Sequence, residues 1–289
     1  MIERLCVIGV GLIGGSIARS ARCKRLCREI VGVDADRANL HKALDLGVID
    51  AAFTNATEGA AGADWVVIAT PVGAFESVFE ALRPVWAERA IYTDAGSTKQ
   101  SVIEAARTIF GQVPPNFVPA HPVAGAERSG VEAATDDLYQ GKRVILTPLP
   151  ATSYIALKRV EAFWQAVGAK VSDMDPAHHD EVLAATSHLP HVLAYALVHM
   201  LGQKNAQQEI FQYAAGGFRD FTRIASSDPK MWLDICLANR TQIVPLIAQL
   251  CDELNAVAGM LDKRAANDLL EFFASARNAR QQFLDQAEK

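Results

Sequence analysis

Three polar segments of this sequence carry side chains suited to proton transfer or to binding a negatively charged ligand. The first is a predicted loop that begins at His121, continues with Pro-Val-Ala-Gly and ends at Gly130. An imidazole titrates near neutral pH, so His121 is suited to accept the proton of a substrate hydroxyl while hydride leaves the carbon that carries this hydroxyl. The alternative, which is the commoner case, is a histidine that only holds its loop by hydrogen bonds.

The second segment is Ser187-His-Leu-Pro-His191, inside a predicted helix. Pro190 cannot donate to the carbonyl of Thr186, so we expect the helix to kink there. Ser187 and His191 are four residues apart and therefore share one face of the helix. A kinked helix with polar groups on its inner face is typical of the wall of a binding site.

The third segment runs from Gly216 to Ala225 and contains two arginines. Arg219 and Arg223 are four residues apart, and Asp220 stands three residues before Arg223. Guanidinium groups bind carboxylates through two parallel hydrogen bonds, so paired arginines after a glycine hinge favour recognition of an acidic substrate. The alternative is a salt-bridged turn on the surface.

A glycine-rich segment near the N-terminus predicts a dinucleotide site. The apolar run Leu5–Ile8 reads as a buried strand, and glycines follow it in G-x-G-x-x-G spacing before a predicted helix. The glycines allow a tight turn, close approach of a pyrophosphate, and close packing of helix on strand, while the helix N-terminus faces the phosphates. The predicted cofactor contacts are Gly9, Gly11, Leu12, Ile13, Gly14, Asp34, Thr70 and Pro71.

Asp34 favours NAD over NADP as the cofactor. It ends a second apolar run, twenty residues beyond Gly14, where an acidic side chain binds the ribose hydroxyls and repels a 2′-phosphate. Arg37 stands close enough to meet a 2′-phosphate, so NADP remains an alternative.

Strands and helices alternate over the first part of the chain and predict a doubly wound, Rossmann-type α/β domain over residues 1–173. Thr70, Ser97 and His121 each follow a predicted strand, at the edge of the sheet where ligands bind. The predicted strands are 5–8, 30–33, 65–69, 90–94, 117–120, 143–146 and 170–173.

Residues 174–289 show only helical periodicity and predict an all-α second domain. Asp175-Pro176 has the pattern of a helix N-cap followed by proline at the first helical position. Farther on, apolar residues alternate spacings of four and three, which favours a homodimer packed through the C-terminal helices over a buried core helix. This seam consists of Ile243, Ile247, Leu250, Leu254, Val257 and Leu261.

Composition narrows the class of protein further. Half of the 289 residues are hydrophobic and the net charge is -5, which gives no sign of a nucleic-acid or membrane partner. We find no signal peptide and no run of 18 apolar residues, and the odd number of cysteines, 5, suits reduced thiols in the cytoplasm. The spacings of the cysteines, and of His178, His179 and Asp180, match no metal motif, so no metal is predicted.

Together these segments resemble the prephenate/arogenate dehydrogenases of tyrosine biosynthesis, over nearly the whole chain. The resemblance is carried by Gly-Ser-Thr-Lys99, His121-Pro-Val-Ala-Gly125, Ser187-His-Leu-Pro-His191, and Gly-Phe-Arg-Asp-Phe-Thr-Arg-Ile-Ala225 before Ser-Asp-Pro229. It implies an oxidative decarboxylation, in which NAD takes hydride from C4 of the ring, the C4 hydroxyl becomes a carbonyl, and the ring carboxylate leaves as CO2.

The resemblance also implies residue roles. His121 matches the family histidine that hydrogen-bonds the C4 hydroxyl and assists its deprotonation, and Ser97 matches the serine that orients both. Arg223 matches the arginine that binds the substrate carboxylate, and Glu127 stands where the family has an acidic gate residue. The remaining predicted substrate contacts are Ser187, His191, Gly216 and Asp220.

Two features bear on substrate preference, and two other functions remain open. Ala126 replaces the Thr or Ser of many relatives, while His191 matches the relatives that accept prephenate, so prephenate or dual use is favoured. One alternative is another Rossmann dehydrogenase with a helical domain, of the β-hydroxyacid or pyrroline-carboxylate type. The other is a dinucleotide-sensing dimer without turnover.

Overall fold

The computed structural model describes residues 1–126, 128–204 and 207–287, and its centre is a parallel sheet. Six strands lie in the order β3-β2-β1-β4-β5-β6, and every neighbouring pair is parallel. The chain order reverses between β1 and β4, which opens a crevice at the carboxyl ends of these strands. The strands are β1 (Ile2–Ile8), β2 (Cys27–Val33), β3 (Ala51–Phe53), β4 (Trp65–Ile68), β5 (Ile91–Asp94) and β6 (Phe117–Val118).

Both faces of this sheet are covered, which explains the unbroken apolar run in β1. Leu5 and Val7 pack into one buried cluster, and Cys6 and Ile8 pack into another. Successive side chains of a strand point to opposite faces, so a strand buried on both sides needs apolar residues at every position. The predicted Rossmann-type fold is confirmed.

A second sheet of three strands holds the first predicted catalytic segment. It consists of β7 (Ala120–Val123), β8 (Arg143–Leu146) and β9 (Lys170–Asp173), with β7 antiparallel to β8 and β8 parallel to β9. His121 therefore lies in a strand, opposite Ile145, and its prediction as a loop residue is wrong. Pro119 separates β6 from β7, and since proline has no N–H to donate, it ends pairing with the main sheet.

The helices confirm the prediction that the chain is helical from about residue 174 onward. Within the described part of the chain every later element is helical. The helices are α1 (Leu12–Cys23), α2 (Arg37–Asp45), α3 (Ala56–Ala60), α4 (Phe75–Leu82), α5 (Gln100–Phe110), α6 (Tyr154–Ala166), α7 (Pro176–Leu183), α8 (Leu189–Gly202), α9 (Gln207–Gln212), α10 (Gly216–Thr222), α11 (Pro229–Ala238), α12 (Arg240–Asp262) and α13 (Ala266–Ala287).

Local sequence sets where α7 begins and where it gives way to α8. The Asp175 side chain accepts hydrogen bonds from the N–H groups of Ala177 and His178, as its N-cap position predicts. A π-helical segment, Ala184–His188, then separates the two helices. Pro190 lies in the first turn of α8, directly after this π-helical segment, and the kink expected there stays a prediction.

The chain divides into two compact units, Met1–Arg240 and Thr241–Lys289. The predicted domain boundary at residues 173 and 174 falls inside the first unit, and that division stays a prediction. In α12, Leu254 and Leu261 of the predicted seam are 55% and 60% exposed. Among the described helices, α12 also has the length and mean hydropathy, 1.3, of a membrane span, but a single helix of this kind is a weak sign of one.

Candidate active site

A cavity of about 380 Å³ at the carboxyl edge of the main sheet brings the predicted segments together. Its walls come from the start of α1, the loop after β5, strand β7 and the segment after it, α7, the π-helical segment, α8, the turn after α10, and α11. The predicted site residues that line it are Leu12, Ile13, Ser97, His121, Ser187, His191 and Arg223.

The glycine-rich turn at one end of the cavity has the shape that a dinucleotide requires. Gly9 has φ +90°, and a Cβ there would lie 2.5 Å from the carbonyl oxygen of Ala69. A Cβ on Gly14 would lie 1.9 Å from the carbonyl oxygen of Gly9, so only glycine allows α1 to pack this closely. A Cβ on Gly11 would meet nothing within 4 Å, and no side chain caps the N-terminus of α1 there. The first turn of α1 is thus open to an anion.

Asp34 and Thr70 extend this site along the edge of the sheet. Asp34 follows β2, and its carboxylate accepts hydrogen bonds from the N–H of Val10 at 3.0 Å and from Asn39 Nδ2 at 3.2 Å. Thr70 follows β4, and its Oγ1 is buried without a hydrogen-bond partner among the described residues. A buried hydroxyl that lacks a partner beside an open helix N-terminus fits a polar ligand such as a dinucleotide.

His121 is a buried titratable group in the cavity wall. Its side chain is 8% exposed, and its Nδ1 lies 2.9 Å from Nε2 of His179. Burial lowers the pKa of His121 well below 6.5, and the nearby His179, Lys99 and His188 lower it further. His121 is therefore uncharged at neutral pH and available as a proton acceptor.

His179 and Asp180 continue inward from His121, and sequence reasoning missed this contact. His179 is fully buried, and its Nδ1 lies 2.8 Å from Oδ1 of Asp180. Asp180 also accepts hydrogen bonds from the N–H groups of Lys99 and Gln100, at 2.8 and 2.9 Å, so it caps the N-terminus of α5. Burial favours the neutral acid, but these hydrogen bonds hold the pKa of the Asp180 carboxyl below its ordinary value.

A buried ion pair holds the loop that carries Ser97. Lys99 Nζ contacts Asp94 Oδ2 and donates to the carbonyl of Ala120 at 2.7 Å, and both charged side chains are fully buried. Asp94 Oδ1 accepts from the N–H of Ala120 at 2.9 Å. The pair therefore ties the end of β5 to the residue before His121, with the half-buried Ser97 in the loop between them.

The far end of the cavity combines a cation, Arg223, with a neutral imidazole, His191. His191 Nδ1 donates to the carbonyl of Ser187 at 2.8 Å, and its ring stacks on Trp232 at 3.8 Å between centroids. Burial lowers the pKa of His191, the Ser187 carbonyl opposes this, and Arg223 lowers the pKa further. Arg223, a permanently charged guanidinium, lines the same wall and is exposed to solvent.

Several further residues of this wall were not predicted as site residues. His188 is buried, its Nδ1 accepts from Asn239 Nδ2 at 3.1 Å, and burial lowers its pKa to about 4. Trp232 buries an Nε1–H that lacks a partner in the described residues. His188 stands inside the Ser187–His191 motif, which is the sequence signal that could have found it. Trp232 has no such signal, because aromatic and apolar side chains read the same in a core and in a cavity. The other unpredicted apolar residues of the wall are Ala95, Pro122, Val123, Ala124, Ala126, Leu183, Ile224, Met231 and Ile235.

Three predicted substrate contacts are not placed in this cavity. Gly216 and Asp220 are described residues of α10, but they are not among those that line the cavity, so their roles stay predictions. The predicted gate residue, Glu127, lies outside the described residues. Within the described ranges, no group of three or more His, Cys, Asp or Glu side chains could hold a metal ion.

A second, shallower groove lies at the opposite edge of the sheet. It has a volume of about 450 Å³ and is lined by the start of β1, Arg25, Trp65 and Arg159. Among the described residues that line this groove there is no histidine, carboxylate or thiol that could transfer a proton, whereas the cavity around His121 has three histidines.

Two family models match this chain in sequence. The model of the prephenate dehydrogenase nucleotide-binding domain matches residues 17–173, and that of the prephenate dehydrogenase dimerization domain matches residues 175–275. The chain belongs to the prephenate dehydrogenase family. The family resemblance seen in the sequence is thereby confirmed.

Relatives within this family match over almost the whole chain. A cyclohexadienyl dehydrogenase from Zymomonas mobilis is 35% identical, over 97% of this chain and 96% of the relative. A prephenate dehydrogenase from Bacillus subtilis is 36% identical, over 97% of this chain and 76% of the relative. The crystal structure of the Aquifex aeolicus prephenate dehydrogenase in complex with hydroxyphenyl propionate and NAD+ has a TM-score of 0.89 and 36% identity, and covers 98% of this chain and 99% of that one.

Proposed function

We propose that this chain catalyses the NAD-dependent oxidative decarboxylation of prephenate to 4-hydroxyphenylpyruvate, with arogenate as a second substrate that would give tyrosine. The observation that carries the proposal is a buried, uncharged His121 in a cavity that also has Arg223 in its wall. A proton acceptor and a fixed cation in one cavity match a substrate that has a hydroxyl to deprotonate and a carboxylate to bind.

NAD fits the residues at the other end of this cavity. The open N-terminus of α1 at Gly11 would hold the pyrophosphate, Asp34 would hold the ribose hydroxyls, and Thr70 Oγ1 supplies a buried hydroxyl that needs a partner. When bound, the nicotinamide accepts the hydride that leaves C4 of the substrate. Asp34 favours NAD over NADP because a carboxylate repels a 2′-phosphate.

The residues of the cavity divide the remaining work. His121 accepts the proton of the C4 hydroxyl, which becomes a carbonyl as hydride leaves. The electron pair of the broken C–CO2 bond then enters the ring, which becomes aromatic as the carbonyl oxygen takes the proton back and CO2 departs. Ser97 orients the hydroxyl and the imidazole. Arg223 binds a substrate carboxylate, with His191 and Ser187 beside it.

The proposal also covers assembly and location. A homodimer through the C-terminal helices is supported by the match to the family's dimerization domain and by the exposed apolar side chains of α12. The division into a nucleotide-binding domain, 1–173, and a helical domain, 174–289, follows the same match. The five free cysteines suit the reducing cytoplasm.

The first experiment measures NADH formation by the purified protein with NAD, offering prephenate and arogenate in parallel. We expect turnover of prephenate, and His121→Asn should lower kcat by roughly 10²–10⁴-fold because the proton acceptor is lost. Asparagine can still donate to His179 from the position of Nδ1, so the cofactor affinity should not change.

The alternatives predict different results in this assay. Cofactor binding without turnover of either substrate would favour the dinucleotide-sensing dimer or a dehydrogenase for another hydroxyacid. Near-normal turnover by His121→Asn would remove His121 from the role of proton acceptor.

A further inference from the structure

A chain of three buried side chains runs from the cavity wall into the protein: His121, His179 and Asp180. We propose that His179, held by Asp180, is a positioning residue that fixes His121 in the tautomer whose Nε2 carries no proton. The inference rests on the proposed function of His121 as proton acceptor, and it names the nitrogen that accepts.

The tautomer follows from the hydrogen-bond partners. An ionised carboxylate can only accept, so the 2.8 Å contact between Asp180 Oδ1 and His179 Nδ1 requires a proton on that nitrogen. A neutral His179 then has a lone pair on Nε2, which lies 2.9 Å from Nδ1 of His121. His121 must donate from Nδ1, and its Nε2 is left as the basic nitrogen.

The surroundings of the two side chains favour both conditions of this argument, an ionised Asp180 and a neutral His179. Asp180 accepts two N–H groups at the first turn of α5 as well as the imidazole, and these favour the carboxylate. Burial lowers the pKa of His179; its hydrogen bond to Asp180 opposes this, and Lys99 lowers the pKa further. A doubly protonated His179 would donate to His121 Nδ1 and leave the proton on the wrong nitrogen.

The same arrangement also stabilises the positive charge that His121 acquires during the reaction. When the O–H bond of the substrate breaks, its proton forms a new bond to Nε2 of His121, which becomes an imidazolium. The Nδ1–H of that cation then donates a charge-assisted hydrogen bond to the lone pair of His179 Nε2. The proton stays on His121, because His179 only orients the ring and stabilises its charge.

Two amide substitutions at position 179 separate this role from a purely structural one. In His179→Asn the amide lies near the place of Nδ1, so it keeps a donor for Asp180 but gives His121 no acceptor. In His179→Gln the amide reaches the place of Nε2, so its oxygen still accepts from His121, while the bond to Asp180 is lost. The exposed neighbour His178, which pairs with Glu181, supplies the control His178→Asn on the same helix.

The expected result is an order of activities that packing alone would not give. We expect His179→Asn to lose about 10²-fold in kcat, since the loss of the group that orients a catalytic histidine is costly, with the KM for NAD unchanged. His179→Gln should retain most of the wild-type kcat, and His178→Asn all of it. Equal losses in the Asn and Gln variants, or no loss in the Asn variant, would overturn the proposal.

Nitrogen NMR of protein labelled with 15N-histidine reads the tautomer without any substrate. We expect His121 to carry its proton on Nδ1 in the wild type and in His179→Gln, and on Nε2 in a large share of His179→Asn. A wild-type His121 protonated on Nε2 would refute the inference. Since this measurement needs no turnover, it stands apart from failure of the proposed function, which the NADH assay detects.

Discussion

Neighbouring ionisable side chains of the cavity differ in charge, because a guanidinium stays charged in any protein environment whereas burial keeps an imidazole neutral. His121 and His188 are buried and neutral, whereas the Arg223 guanidinium lies at the exposed end of the wall and keeps its charge. A buried acceptor and an exposed cation in one cavity allow the substrate to be held by its carboxylate and deprotonated at its hydroxyl. The net charge of -5 makes such a local cation necessary for an anionic substrate.

Arg223→Ala tests whether this guanidinium binds the substrate carboxylate. We expect the KM for prephenate to rise about 10–100-fold, which corresponds to loss of one charge-assisted hydrogen bond, with a smaller change in kcat. Arg219→Ala removes the same charge from an exposed residue of α10 that does not line the cavity, and it should change the KM little. The prediction is wrong if steady-state kinetics show the larger effect for Arg219→Ala.

At the scale of elements, the site depends on links between parts of the chain that are far apart in sequence. Asp180 in α7 caps α5, and Asp94 at the end of β5 holds both Lys99 and the start of β7. These links place the Ser97 loop and His121 beside each other. Because the Asp94–Lys99 pair is fully buried, each charge depends on its partner.

Lys99→Met tests the buried pair. It leaves the Asp94 carboxylate without its cation, and we expect the free energy of unfolding to fall by about 3–5 kcal/mol. Lys158→Met breaks the exposed pair with Glu161 on α6 and should leave the denaturation midpoint unchanged. Equal midpoints for the two variants in a urea titration would contradict the account of the buried pair.

At the scale of the whole molecule, α12 and α13 leave many apolar side chains uncovered. Leu254 and Leu261 belong to the predicted seam of α12, and Leu270 and Phe273 of α13 are 69% and 58% exposed. Large apolar side chains in such numbers are typical of an interface between subunits. This is why we propose that the C-terminal helices form a homodimer.

Sedimentation equilibrium tests the dimer. We expect twice the chain mass of 31.2 kDa for the wild type and one chain mass for the double variant Leu254→Glu and Leu261→Glu, because charges cannot be buried in the interface without partners. As a control, Ile155→Glu places a carboxylate on an exposed apolar position of α6, outside the proposed interface, and should leave the mass of the assembly unchanged. A wild-type protein with the mass of one chain would exclude the homodimer.

The sequence alone determined the features that depend on short spacings. The strand before Gly9, the glycines that pack α1 against it, the N-cap at Asp175 and the helical C-terminal part were all predictable, because each depends on residues within one or two turns of chain. The same holds for the family motifs around His121 and Ser187.

Only the tertiary structure decided which distant side chains meet. The separate second sheet was not predicted, because strand partners are chosen by the packing of the whole domain. His179 lies 58 residues from His121 in sequence and hydrogen-bonds to it, and Asp180 caps a helix that begins 80 residues earlier. No spacing rule reaches across such separations, since the contact exists only after both elements have packed on the same core. His121 was therefore recognisable from its motif, whereas the pair that orients it could be found only in the folded chain.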